Sequence, residues 1–190
     1  MNTEILVEPE LTMGGKLHVF SLYVDFAAAG RARWLTGRMS RLAGELWTIS
    51  TEMWNLDSLM ASEPIRKMIT QDASEADVLV VAMSSLDWRE PELVQWLDSL
   101  TSGRADRAES RLFIGLLGDR RGLAAELDWT VKEFLRCARQ MDRRFLWQWM
   151  GRDAMADDDW VMDSVEPLLM PRHQRRRDAI FLPEAAIEIV

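Results

Sequence analysis

The sequence predicts an α/β domain in which helices cover both faces of a five-stranded parallel sheet. Short apolar runs alternate with longer amphipathic segments along the chain, as in proteins built from β-α units. The runs at 77–83 and 111–117 are continuously apolar, which is typical of central strands buried on both faces. Right-handed crossovers between parallel strands are consistent with three αβα layers. For a doubly wound sheet of five strands we expect the order 2-1-3-4-5.

The first half of the chain predicts two strands and two helices. Strand 16–24 is rich in β-branched and aromatic residues and precedes a helix at 26–43 that Gly44 ends. A second strand is predicted at 45–50, and the Ser62-Glu-Pro64 signal starts a helix that runs to about 74. The residues expected to face the core from these two helices are Ala28, Leu35, Met39, Leu42, Ile65, Met68 and Ile69.

The second half continues the same alternation. Strands are predicted at 77–83, 111–117 and 144–150, with helices from Pro91 to about 100, at 122–141 and at 157–169. Gly115 is expected to permit a close approach of a helix or a ligand to the fourth strand. The predicted domain spans 16–170, with an N-terminal extension at 1–15 and a C-terminal tail at 171–190.

Composition restricts the function. The net charge of −8 disfavours a nucleic-acid binder, because an acidic surface repels phosphates. The N-terminal residues lack a basic start and a long apolar run, and no window reaches the length of a membrane span. With one cysteine, Cys137, these features predict a cytoplasmic protein without a disulfide. The nine Trp residues are interpreted mainly as core and interface packing.

Any ligand site is expected beyond the carboxyl ends of the strands, where the strand order reverses between the first and third strands. The two loops at that point are 25–30 and 84–90. Outer contributions are expected from 50–52, 118–120 and 151–152.

The segment 76–100, ADVLVVAMSSLDWREPELVQWLDSL, resembles the third β-α unit of flavodoxins and FMN-dependent NAD(P)H reductases. In those families the loop after the strand covers the flavin ring, and Trp88 stands at the matching position. The chain is also similar to small bacterial flavodoxin-like proteins of uncharacterised activity. The resemblance implies a flavodoxin-like fold and makes FMN the candidate cofactor.

The first loop, Asp25-Phe-Ala-Ala-Ala-Gly30, departs from that family. It contains no hydroxyl side chain, whereas a flavodoxin phosphate loop is rich in Ser, Thr and Gly. Asp25 is better explained as the helix N-cap, although backbone amides alone could still bind a phosphate. The candidate pocket residues are Asp25, Ala28, Gly30, Ser84, Ser85, Trp88, Gly118 and Asp119.

Response-regulator receivers have the same architecture but require an acidic pair after the first strand and a phosphoacceptor Asp after the third. Here Asp25 stands alone and the third strand ends in Met83-Ser84. The sequence therefore does not support phosphorylation of this type. A degenerate receiver-like interaction module stays open.

Other chemistries lack their residues. His18 lies near the wrong end of its strand to form a triad with Ser84 or Ser85, and His173 lies in the basic tail. One Cys and two distant His do not make a zinc site. The three acids at 157–159 complement a helix dipole and match no cation-loop motif.

Two functional hypotheses follow. The leading one is a non-catalytic flavodoxin-like module that acts through a protein partner or through self-association, with a homodimer as a secondary expectation. The alternative is an oxidoreductase that binds FMN between the loops after the first and third strands. No catalytic residue and no metal ligand are assigned, and whether the chain is an enzyme stays open.

Overall fold

Five parallel strands form one sheet in the order β2-β1-β3-β4-β5, which confirms the predicted α/β fold and strand order. The structure is a computed structural model that describes residues 15–44, 47–84, 91–100, 111–118 and 124–149. The strands are β1 Lys16–Tyr23, β2 Thr48–Asn55, β3 Val78–Ala82, β4 Leu112–Leu117 and β5 Arg144–Trp149. The helices are α1 Phe26–Ala43, α2 Leu56–Ala61, α3 Glu63–Glu75, α4 Pro91–Ser99 and α5 Ala124–Gln140.

Helix α1 has the predicted bounds because both of its ends carry specific capping residues. The Asp25 side chain accepts a hydrogen bond from the Ala28 N–H, which satisfies one free donor of the first turn. Gly44 follows the last turn with φ of +57°, a conformation that a side chain disfavours. The helix packs on β2, β1, β3 and β4, and its buried residues include Ala28, Ala32, Leu35 and Met39.

The second strand lies later in the sequence than predicted. It covers Thr48–Asn55 rather than 45–50, so its carboxyl end is Asn55. The Asn55 side chain then caps α2 by accepting from the Asp57 N–H at 2.7 Å. Ser62 caps α3, with Pro64 in its first turn as expected. The predicted position was wrong because most side chains of this strand are only half-buried and polar residues interrupt its apolar pattern.

The sheet separates two apolar cores. One lies between the sheet and α1, and the other lies between the sheet and helices α2 to α5. Five of the described tryptophans pack in or against these cores, in agreement with the packing interpretation: Trp34, Trp47, Trp54, Trp96 and Trp147. A Cβ at Gly115 would lie 3.2 Å from the Phe134 ring, so this glycine permits close approach of α5 to β4.

Two predicted core residues are wrong. Leu42 is 50% exposed and Met68 is 44% exposed, while Ala43 and Ile69 beside them are buried. Each was assigned from spacing alone, and each falls at the edge of its apolar stripe, where the neighbouring residue takes the inward position. None of the described helices has the length and apolarity needed to cross a bilayer. The predicted helix at 157–169, the extension and the tail lie outside the described residues.

Candidate functional site at the carboxyl edge of the sheet

Asp25 links the two loops that the strand order brings together. Its Oδ1 accepts from the Ala28 N–H at 2.9 Å, and its Oδ2 accepts from the Ser84 N–H at 3.3 Å. The Ser84 hydroxyl also donates to Oδ2. Ser84 follows β3 and Asp25 follows β1, so one carboxylate joins the ends of two neighbouring parallel strands.

These hydrogen bonds control the ionisation of Asp25. Partial burial by itself would raise the pKa of the carboxyl, because it disfavours the charged form. Hydrogen bonds from the Ser84 hydroxyl and from the backbone amides of Ala28, Ser84 and Ala27 outweigh burial and lower the pKa below its ordinary value. Asp25 is therefore a stable anion at neutral pH.

Gly118 lies at the carboxyl end of β4, the strand next to β3. A Cβ at this residue would lie 1.8 Å from the Ser84 carbonyl oxygen, so the backbone after β4 touches the backbone after β3. The Met83 N–H donates to the Leu116 carbonyl at 2.8 Å, which holds the two chains at that separation. Glycine is needed here because the backbones of Gly118 and Ser84 approach too closely to admit a Cβ.

The predicted pocket residues divide into three groups. Asp25, Ala28, Ser84 and Gly118 meet at this edge, while Gly30 lies one turn along α1 on its exposed surface. Ser85, Trp88 and Asp119 lie outside the described residues, as do 120 and 151–152.

The expected contribution from 50–52 is wrong. These residues lie in the middle of β2, because that strand continues to Asn55. Glu52 instead faces His18 from the neighbouring strand, with 3.5 Å between its Oε1 and the histidine Nε2. His18 lies six residues before Val24, about 20 Å along an extended strand, and so cannot reach Ser84.

A small apolar pocket lies beside this edge, between α4 and α5. Its lining residues are Met83, Leu93, Val94, Trp129, Thr130, Glu133 and Phe134. The free space is about 10 Å³, which is close to that of one water molecule. Sites for organic ligands typically enclose about 300–1,000 Å³. Among the described residues, no group of His, Cys, Asp and Glu has the arrangement of a metal site.

The opposite edge of the sheet carries a row of charged or titratable residues that the sequence reasoning missed. Val19, Val78, Leu112 and Arg144 lie side by side across β1, β3, β4 and β5. The residue before each of them belongs to this row, which is therefore His18, Asp77, Arg111 and Arg143. The Asp77 Oδ2 accepts from the His18 N–H at 2.9 Å. The signal was present, since a charged residue stands directly before each of the strands that begin at 78, 112 and 144.

Arg143 has a structural role in that row. Its guanidinium donates to the carbonyls of Ala73 at 3.1 Å, Leu112 at 3.3 Å and Ser74 at 3.5 Å. Burial and the nearby positive charge of Arg111 lower the pKa of Arg143 to about 10, which still leaves it charged at pH 7. The cation therefore satisfies the last carbonyls of α3, where a positive charge is favoured.

No protein-family model matches this chain, and no curated protein is significantly similar to it. The arrangement of the described residues is thus the basis for any functional conclusion.

Proposed function

We propose that this protein is a non-catalytic flavodoxin-like module that acts by binding another protein. The observation that carries the proposal is the carboxylate of Asp25 at the N-terminus of α1. It already accepts hydrogen bonds from the Ala28 amide, the Ser84 amide and the Ser84 hydroxyl. A phosphate at that helix terminus would depend on the same kind of donor and would meet a negative charge.

The same geometry disfavours acid–base or nucleophilic chemistry at this edge. A general base at neutral pH needs a pKa near 7, and the pKa of Asp25 is lowered. The Ser84 hydroxyl donates a hydrogen bond to the Asp25 carboxylate, which is a weak base, and no histidine of the described residues lies near it. Cys137 is fully buried, and burial raises its pKa to about 12, so the thiol is not a nucleophile at neutral pH.

An exposed aromatic ring at the same edge supports an interaction role. Phe26, the first residue of α1, is 95% exposed. Exposing a large aromatic ring to water is unfavourable, and burying it against a partner would stabilise the complex. Trp129 on α5 is also exposed, at 41%. Both rings flank the edge that Asp25, Ser84 and Gly118 close.

FMN titration tests the proposal against its alternative, an FMN-dependent oxidoreductase. We expect FMN in large excess to leave both the melting temperature and the Trp emission of the protein unchanged. Riboflavin, which lacks the phosphate, is the matched control. A yellow protein as purified, or an FMN-specific rise in melting temperature at micromolar concentration, would overturn the proposal.

The oligomeric state and the compartment are part of the same proposal. A homodimer was expected from the tail and from the Trp-rich segment at 147–160, and light scattering at high protein concentration tests it. A particle of the monomer mass, 21.9 kDa, would reject the homodimer. The single free cysteine and its burial fit a protein of the cytoplasm, which fractionation of cells that express it would test.

A further inference from the structure

Helix α1 carries a strong positive charge in an acidic protein. It contains Arg31, Arg33, Arg38 and Arg41 and no acidic residue, whereas the whole chain has 31 acidic and 23 basic residues. Arg33 and Arg41 are exposed, and neither forms an ion pair with a carboxylate of the described residues. A terminal nitrogen of Arg31 is shielded from water without an acceptor.

The outer face of α1 also offers apolar contacts. Trp34 is half-buried, and the Arg38 guanidinium lies 5.2 Å from the centre of its ring. Phe26 at one end of the helix and Leu42 at the other are 95% and 50% exposed. Helix α1 therefore carries exposed apolar side chains at both ends and arginines together with the half-buried Trp34 between them.

Two glycines on this helix pack against no other element among the described residues. Within that part of the chain, a Cβ at Gly30 would have no atom within 4 Å, and one at Gly37 would lie 3.9 Å from the nearest atom, a terminal nitrogen of Arg41. Glycine is unfavourable inside a helix, and here no neighbouring element requires it. The two lie two turns apart on the same side of the helix, where a partner backbone could approach closely.

We infer that the outer face of α1 docks an acidic, amphipathic segment of another protein. This inference rests on the proposed function and assigns its surface and the chemistry of its partner. The exposed Arg33 and Arg41 complement carboxylates. At ordinary ionic strength charges beyond about 10 Å are screened, so this local cationic patch acts in spite of the negative net charge.

A second copy of the chain is a poorer occupant. In a two-fold dimer the same surface meets itself, which would bring α1 against α1 and place arginines opposite arginines. A head-to-tail contact would avoid that repulsion but would have to close into a ring or continue into an open filament. An acidic segment of a different protein meets neither obstacle.

Fluorescence anisotropy with a defined probe tests the inference. The probe is a fluorescein-labelled helical peptide that repeats Leu-Glu-Glu-Leu-Glu-Glu-Glu, and the full-length protein is the titrant. We expect saturable binding that weakens with salt. The double variant R33E/R41E should bind at least about tenfold more weakly, because it replaces attraction by repulsion.

The matched control is K67E/R139E, which changes the net charge equally at two exposed cations on α3 and α5. It should keep the affinity within about twofold, in line with the small effect of distant, screened charges. G30A supplies a second readout, since it should raise the melting temperature of the free protein yet weaken binding.

Several results would overturn the inference. They are no binding of the peptide, an equal loss in R33E/R41E and K67E/R139E, or tighter binding of single-stranded poly-dT or phosphatidylglycerol vesicles than of the peptide. Self-association that R33E/R41E abolishes would also overturn it. The FMN titration is independent of these assays, so a protein that ignores both FMN and the peptide loses this inference and keeps the proposed function.

Discussion

The two edges of the sheet each use an aspartate to join β1 to β3, but the two aspartates lie in different surroundings. At the carboxyl edge, Asp25 is partly exposed and contacts Ser84 beside the touching backbone of Gly118. At the amino edge, Asp77 lies in a row with the buried Arg111 and Arg143. The comparison shows that close backbone contacts hold the strands together at the carboxyl edge, whereas buried charged side chains do so at the amino edge.

Replacing Arg143 by Met should have the largest effect on stability. The carbonyls of Ala73, Ser74 and Leu112 would lose their donor inside the protein, and we expect a loss of about 3 kcal/mol in the free energy of unfolding. Urea denaturation measures it. R144M, at an exposed neighbouring position, is the control and should change stability by less than about 0.5 kcal/mol. Equal losses of unfolding free energy in R143M and R144M would contradict the structural role of Arg143.

Replacing Gly118 by Ala tests the carboxyl edge. The added Cβ would overlap the Ser84 carbonyl, which is backbone and cannot rotate away. We expect a loss of about 2 kcal/mol, seen as a lower urea midpoint. An unchanged midpoint would mean that the two loops separate easily and that this edge is open to ligands.

Replacing Asp25 by Asn should cost about 1 kcal/mol at pH 7, because the amide nitrogen cannot accept from the Ser84 N–H. The pKa of Asp25 is lowered in the folded protein, so the unfolded chain binds a proton first as the pH falls. The stabilisation by Asp25 is then complete above its unfolded pKa of about 3.9 and is lost as the pH falls through the lower folded value.

Denaturation of the wild type and of D25N between pH 7 and pH 2 checks the pH dependence. The difference in stability should narrow below about pH 4. A difference that stays constant over that range would contradict the lowered pKa. S84A keeps the Asp25 carboxylate and removes the hydroxyl donor. The difference in stability between S84A and D25N should therefore be smaller than the difference between the wild type and D25N.

Replacing Gly30 by Ala should have the smallest effect and the opposite sign. No atom of the described residues lies within 4 Å of the added Cβ, so the gain in helix propensity of about 0.8 kcal/mol should appear as greater stability. Thermal denaturation beside G118A measures both signs in one experiment. A destabilised G30A would show that a contact within the chain, rather than a partner, requires this glycine.

The candidate site was predictable in part. Asp25 as N-cap and the meeting of the loops at 25 and 84 followed from the apolar runs and the strand order, because parallel strands end at a common edge. The contact between Ser84 and Gly118 was not predictable, since it depends on how closely two loops approach in space. The end of β2 at Asn55 was missed because half-buried edge strands give a weak pattern.

The sequence by itself determined the bounds of α1 and the burial of β3 and β4, because capping residues and continuous apolar runs act locally. The strand order was expected from the fold class that the alternation of strands and helices predicts. The tertiary structure decided what the charged residues do. Asp25 could have faced a ligand and Arg143 could have faced water. The folded chain instead places each among backbone groups that hydrogen-bond to it, and partners separated by 59 and 70 residues leave no trace in local spacing.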